Sequence, residues 1–508
     1  MASVFDKKRS TLPVTLQFPV PPHSEGIILN KQTVKILPSQ SQTSYSAGQT
    51  LRFKIQDQKA VDLQSIALNF FLTTNVQQAS VDDWIGSIIR TLTVSFNSYQ
   101  IERIDRYNRL HAALSSFSVD EGYRQSLWGD MEGYYPRSNQ CMGSVALNTD
   151  HKASGFRSVV QNGQFLTNAA NIDTKTESPR ENQDLIRRFS AVDNGAGPPV
   201  AVNADVAGIR DHRIAREYTI HFDLSGFLAR HRKVFWIPLV NSIDIDILLE
   251  QNSEVMNQWN VETTNLSYTV DQPHLQAEMY TLSQEYVNAL SLNMQEQGLT
   301  LSFDTYEVRQ FDLALGTNHQ VTMNTRLSSL KSMYLFFYQP HLTAATDPEN
   351  KRIDKTWVQQ RRLFSTNTLV SKLQTYQLFI DGRPIQAHPI QTKDAQYSEA
   401  LWELMKSLRL HGDVSGTPNV CVDSYTDRGP RTNTVVGGEV AQFLADEHFM
   451  VGIDLEKSDL LSGHSVANQL YLDLTFDQSL GAGVRMYVVM HYDKNVIVYP
   501  GLTFEERI

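Results

Sequence analysis

The sequence predicts an all-β protein in which one antiparallel unit is used twice in tandem, with short helices and long loop insertions. Three observations predict it. Apolar residues alternate with polar ones along many short runs, which is the period of a half-buried strand. The stretch His448 to Asp477 carries Phe449, Val451, Ile453 and Leu455, then a polar region around Lys457 to Asn468, then Leu470, Leu472, Leu474 and Phe476. The same pattern stands earlier in the chain as Tyr218, Ile220, Phe222 and Leu224, a basic segment at Arg230 to Lys233, and Ile243, Ile245 and Ile247. Asp223-Leu224 in the first copy matches Asp454-Leu455 in the second.

Residues 1–47 are rich in Ser, Gln, Pro and Lys, and Pro13, Pro19, Pro21, Pro22 and Pro38 break any long element. They read as an extended N-terminal arm, either a disordered terminus or an arm that crosses to a neighbouring subunit and serves assembly rather than a core. Strands follow at Leu51 to Ile55 and Leu63 to Leu72, then at Leu92, Val94 and Phe96, ending in the turn dipeptide Asn97-Ser98. Asp105 is placed to cap a helix whose apolar face is Tyr107, Leu110, Ala113 and Leu114.

From 117 to 213 the alternation stops, and a long insertion rich in Asn, Gly and Ser interrupts the unit. It holds one helix signal, with Ser178 as cap, Pro179 in the first turn and Glu181 completing a capping box. An insertion with so few apolar runs needs contacts from elsewhere to become ordered. Trp128, Tyr134, Tyr135, Phe156 and Phe165 are its expected anchors against neighbouring subunits. Strands near Leu266 to Val270 and Leu275 to Leu282 end the first half, and Asn288 to Gly298 reads as the linker.

The second half repeats the first in order. Leu63-Gln-Ser-Ile66 is echoed by Leu330-Lys-Ser-Met333, and each heads a strand with a Phe-Phe pair, Phe70-Phe71 and Phe336-Phe337. Leu92-x-Val94-x-Phe96-Asn-Ser is echoed by Tyr376-x-Leu378-x-Ile380-Asp-Gly, and a second amphipathic helix carries Tyr397, Leu401, Leu404, Met405 and Leu408. Four matched elements in one order mark a duplicated domain. The division is an arm at 1–47, a first unit at 48–290 containing the 117–213 insertion, and a second unit at 291–508.

Composition bounds the function. At 508 residues, with 41% hydrophobic and 20% charged residues, the chain has ample material for two folded cores. Its net charge of -10 argues against a surface dedicated to nucleic acid. Cys141 and Cys421 are too few for a disulfide framework, and Met1 to Val20 has no apolar core of signal length, so folding in a reducing, intracellular setting is expected. The Asn265-Leu-Ser267 sequon is then a chance match.

Catalytic and metal signatures are missing as well. Among 14 histidines there is no His-x-His, and His111, His212, His221, His231 and His448 each stand apart from an acid at ligand spacing. Gly195-Ala-Gly197-Pro198 lacks the strand-to-helix setting of a phosphate cradle. Asp244 and Asp246 alternate with Ile243, Ile245 and Ile247, which places them on the outer face of a strand, and His231-Arg232-Lys233 is a basic loop. No catalytic residue, cofactor site or metal site is expected.

Two domains of about eight antiparallel strands, each with a helix after its fourth strand, make a tandem or double jelly roll. The chain resembles the double jelly-roll major capsid proteins of small icosahedral DNA viruses, most closely those of the polinton, adintovirus and virophage group. The residues carrying this are Ile380-Asp-Gly-Arg-Pro-Ile385 with the helix at Tyr397 to Leu408, Gly452-Ile-Asp-Leu455 through Phe476, and the closing Met486 to Tyr492 strand with Val496 to Pro500. The resemblance covers the chain from about 48 to its end. It implies a homotrimer forming a pseudo-hexameric capsomer within a virion shell assembled inside a host cell. Neighbouring capsomers and penton and minor capsid proteins are the implied partners. A tandem jelly-roll carbohydrate-binding protein of lectin type is the alternative reading of the same architecture.

Overall fold

The computed structural model describes residues 28–75, 79–81, 84–119, 123, 126–134, 160–161, 164–165, 216–229, 234–258, 266–338, 364, 373–392, 397–410, 425, 431–436, 439–443, 449–456, 464–467, 469–480, 484–499 and 503–507. The first half has eight principal strands. They are β1 (Ile28–Ile36), β2 (Thr50–Ile55), β3 (Ala60–Thr74), β4 (Ile89–Phe96), β5 (Tyr99–Asp105), β6 (Arg216–His221), β7 (Ile243–Leu249) and β8 (Tyr268–Leu282). The second half has β9 (Leu299–Leu313), β10 (Asn318–Met323), β11 (Leu327–Tyr338), β12 (Leu373–Ile380), β13 (Arg383–Pro384), β14 (Val451–Asp454), β15 (Leu470–Phe476) and β16 (Val484–Tyr499). A further strand, β17 (Thr503–Arg507), pairs with the end of β16.

The two halves share one topology. In the first, the sheets run β1-β8-β3-β6 and β2-β7-β4-β5; in the second, β9-β16-β11-β14 and β10-β15-β12-β13. Each strand of the second half thus occupies the place of the strand eight positions before it, and all the pairings are antiparallel. This is the double jelly roll. The matched runs read from the sequence fall on equivalent strands, β3 with β11, β4 with β12, β6 with β14 and β7 with β15. The paired runs that repeat across the chain, β6 with β7 and β14 with β15, lie in opposite sheets, so their polar connections cross the sandwich.

Alternation explains why these segments are strands. Along β7, Ile243, Ile245, Ile247 and Leu249 are buried while Asp244 and Asp246 are half-buried, and β15 shows the same with Leu470, Leu472, Leu474 and Phe476. The two aspartates sit on the outer face opposite Lys54 and Arg52 of β2. Burial raises the Asp246 carboxyl, Arg52 opposes that rise, and Asp244 adds to it. The turns are matched too. Asn97 and Ser98 (φ 43° and 76°) join β4 to β5, and Asp381 and Gly382 (φ 50° and 79°) join β12 to β13, both with the two positive φ angles of a type I′ turn.

Four expectations are corrected. The arm set at 1–47 gives way at Ile28, because β1 hydrogen-bonds along β8 as an edge strand and Tyr45 of the short strand Ser44–Ser46 is buried. Each helix, α1 (Tyr107–Ser118) and α3 (Ser398–Ser407), follows the fifth strand of its half, since β5 and β13 stand between it and the fourth. The linker at 288–298 lies within α2 (Gln284–Gln297), and Gly298 (φ 72°) turns the chain directly into β9. Asp105 does not cap α1. Its carboxylate accepts from Arg103 and Thr91, and Arg106 in a left-handed conformation occupies the cap position.

The insertion begins after α1, and its described parts are few. A short helix, Leu127–Glu132, and the two-residue strands Val160–Gln161 and Gln164–Phe165 are among them, whereas the helix expected at Ser178 to Ile186 lies outside the described residues. So do Tyr135, Phe156, Cys141, Cys421 and the Gly195 loop. Tyr134 is buried at 2% exposure, stacked on Trp84, while Trp128 on the short helix is 64% exposed. Among the described residues no helix is long and apolar enough to cross a membrane.

Candidate functional site

The joint between the two jelly rolls holds buried charges of both signs, Arg109, Glu102 and Glu250. At one level of it, α1 carries Arg109, whose guanidinium lies over the Tyr338 ring of β11 at 4.2 Å and the Phe364 ring at 4.3 Å. Arg109 also donates to Glu254 at 2.8 Å, and Arg485 of β16 approaches the same carboxylate at 4.0 Å from the second roll. Burial works against the Arg109 charge, but Tyr338, Tyr487, Glu254 and Glu250 outweigh it and hold the group firmly protonated. Beside them Glu250 is buried and accepts from Arg106 at 3.3 Å and Asn108 at 3.1 Å.

At a second level, Glu102 of β5 is buried and takes four donors. Thr305 of β9 donates at 2.7 Å, the Gly226 and Phe227 amides donate at 2.9 and 3.4 Å, and the Ser225 hydroxyl completes the set. Desolvation raises this carboxyl above the ordinary range, against the pull of those hydrogen bonds. Three of its donors come from the first roll and one from the second, so the group ties the two together. Phe227 meets Phe303 at 5.8 Å, and Phe504 of β17 returns from the second roll to stack on Tyr99 at 4.5 Å.

Two histidine networks are brought together by the fold alone. His221 of β6 donates from Nδ1 to Glu132 at 3.0 Å, an acid 89 residues away that ligand spacing does not reveal, and Tyr123 donates to the same carboxylate at 3.1 Å. The Glu132 hydrogen bond raises the His221 pKa, burial opposes it, and the Glu132 and Asp223 charges reinforce it. His111 stacks on Trp84 at 3.8 Å and shares a hydrogen bond with the Tyr134 hydroxyl at 3.0 Å. His212, His231 and His448 lie outside the described residues.

His491 of β16 stands between Asp304 of β9, at 2.7 Å, and Ser332 of β11, at 3.2 Å. The residue types are those of a hydrolytic triad, yet Ser332 is 2% exposed and its hydroxyl also meets that of Tyr334 at 3.0 Å. The network runs on through the Tyr334 hydroxyl, which donates to the Ser407 carbonyl at 2.8 Å, and fastens three neighbouring strands to α3. Among the described residues, no group of three His, Cys, Asp or Glu is placed to hold a metal ion. The Arg109 and Glu102 clusters tie the two sandwiches together, while the His491 network ties strands of one sheet.

No family model matches the chain, and no match is found among curated proteins. Solved structures do match. The chain shares its fold with a structure of the Sputnik virophage obtained by electron cryo-microscopy, with a TM-score of 0.53 and 14% identity, over 98% of this chain and 93% of that one. The capsid of the virus PBCV-1 aligns at a TM-score of 0.49 and 8% identity, over 94% and 96% of the two chains. The mavirus major capsid protein aligns at 0.47 and 9%, over 98% and 93%. The first of these carries the statement of fold: one double jelly roll spanning nearly the whole chain.

Proposed function

We propose that this chain is a major capsid protein, a structural component of an icosahedral DNA-virus shell. The observation carrying this is that two jelly rolls of identical topology fill the chain and are welded side by side through Arg109, Glu102 and Phe504. A rigid pair of sandwiches is a tile, and three such chains present six sandwiches, a pseudo-hexagonal outline that packs a shell. In this reading the rolls divide within α2 near 290, the first beginning at β1 and the second running from 291 to 508. The subunit acts as a homotrimer, its partners are neighbouring capsomers with penton and minor capsid proteins, and it carries out no catalysis. Fold likeness to the virophage structure supports the reading.

Purified protein examined by sedimentation and electron microscopy tests it. Trimers and pseudo-hexagonal capsomers or closed particles are the expected result. A protein that stays monomeric at assembly concentrations and instead binds glycans in a sugar screen would replace this reading with the lectin-like one.

A further inference from the structure

The two jelly rolls differ at one matched corner. In both, the first residue of the type I′ turn donates its amide to the residue just before the neighbouring strand: Asn97 to the Ser242 carbonyl at 3.2 Å before β7, and Asp381 to the Gln469 carbonyl at 2.8 Å before β15. In the second roll the Asp381 carboxylate also accepts the Ala467 and Gln469 amides, each at 2.9 Å, and closes the corner. In the first roll the Asn97 side chain makes no hydrogen bond among the described residues, and the Ser242 amide donates to the Val240 carbonyl at 2.8 Å instead. A cavity of about 450 Å³ lies open there, lined by Lys54, Gln56, Gln58, Asn97, Asn241 and Ser242, with Asp57 beside them.

A second exchange accompanies the first. Strand pairing sets Ile55 opposite Ile243 and Met323 opposite Leu470, so Lys54 of β2 and Thr322 of β10 hold equivalent positions. Where the chain supplies its own carboxylate, the strand beside it carries a neutral threonine; where Asn97 stands instead, that strand carries a lysine. Among the described residues the Lys54 ammonium makes no ion pair. The nearby acids are engaged elsewhere. Asp57 lies 3.7 Å from Lys59 and accepts the Gln58 amide at 2.6 Å, and Asp244, across the ladder from Lys54, accepts from the Ser242 hydroxyl at 3.3 Å.

An ammonium beside several carboxamides offers what a carboxylate needs, because both groups donate to it and the charge strengthens each bond. The space is larger than a carboxylate alone. The carboxamides of Gln56, Gln58, Asn97 and Asn241 each donate and accept, which matches the peptide groups on either side of an acidic side chain. We propose that this cavity of the first roll binds an acidic peptide segment of a partner protein, with its carboxylate beside Lys54 serving the corner as Asp381 serves its own in the second roll. The site belongs to the first roll alone, so it stands whether or not the chain assembles into a shell.

Calorimetric titration of the full-length protein with end-blocked Gly-Glu-Gly and Gly-Gln-Gly peptides tests it. The glutamate peptide is expected to bind at least about fivefold more tightly than the glutamine one, and Lys54→Thr, which installs the second roll's residue, to abolish that difference. Asn97→Asp gives the first roll a carboxylate of its own at a turn position that aspartate tolerates, and is expected to weaken binding of the glutamate peptide at least about fivefold. Thermal melting of both variants separates loss of the site from loss of the fold; if Asn97→Asp melts early, Lys54→Thr at its exposed strand position carries the test. Equal binding of the two peptides, no binding of either to the unaltered protein, or full glutamate-peptide binding by a folded Lys54→Thr variant would overturn the proposal. Glutarate binding as tightly as the glutamate peptide would mark a site for any small carboxylate and overturn the assignment to a peptide.

Discussion

Gly226 of the first jelly roll lies against the main-chain carbonyl of Asp304 in the second, so closely that an added Cβ would stand 1.6 Å from that oxygen. Backbone, not a flexible side chain, is the obstacle. Gly226→Ala is therefore expected to push the rolls apart at the Glu102 network, at a cost of about 1–3 kcal/mol or more. Urea unfolding followed by intrinsic fluorescence should show the single transition broaden or split. An unchanged midpoint would mean that the joint yields freely.

Arg109 serves the same joint through a flat cation between two rings, which lysine does not reproduce. Arg109→Ala should cost about 3–5 kcal/mol, because it strips Glu254 of its nearest cation and empties the space between Tyr338 and Phe364. Arg109→Lys should restore less than half of that. Full recovery with lysine, measured by chemical denaturation, would reduce the contact to simple charge.

The His221–Glu132 pair gives stability a pH dependence of definite sign. The folded pKa of His221 is raised, so its contribution is fully present below about pH 6.5, the ordinary histidine value, and is lost as pH rises through the folded value. His221→Asn removes the titration. The stability gap between native protein and variant should shrink as pH rises above about 6.5, through the raised folded value; a gap that stays constant or widens as pH rises contradicts the assignment.

Trp128 and Tyr134 were natural partners in the sequence, but they behave differently in the fold. Tyr134 is held inside by Trp84 and His111, so replacing it disturbs the subunit itself. Trp128→Ala alone, at an exposed site, should change subunit stability by less than about 0.5 kcal/mol. If the short helix Leu127–Glu132 serves contacts between copies of the chain, the same variant sediments more slowly at equal concentration; unchanged sedimentation rules that role out.

Removing residues 1–40 deletes β1 and leaves β8 with a bare edge. Val34 and Ile36 are half-buried on that strand, and losing them should cost about 2–3 kcal/mol of burial. Thermal melting should lose cooperativity in the first roll. Unaltered melting would return β1 to the status of a dispensable arm.

Much of the architecture was legible because strands announce themselves by alternation. Ile243 to Ile247 and Leu470 to Phe476 could be nothing else, and the Asn97-Ser98 and Asp381-Gly382 turns marked equivalent places in the two halves. β1 is hidden in the sequence for a physical reason: an edge strand with one solvated face carries Lys31, Gln32, Thr33 and Lys35, which read as part of a polar arm. The joint was invisible for another. Glu102, Gly226 and Thr305 lie 124 and 203 positions apart in the pairs they form, and no local pattern connects single residues at that separation. Asp105 misled because an acid just before a helix suits both a cap and a cross-strand partner, and Arg103 with Thr91 competed successfully for it.

The stacking of Phe504 on Tyr99 joins the strand that follows β16 to the turn between β4 and β5 of the first roll. During synthesis the first roll leaves the ribosome well before β17 does, so the face of Tyr99 that Phe504 covers stays open until that strand arrives. Chains that stop short of β17 therefore carry an open aromatic face that chains containing it do not.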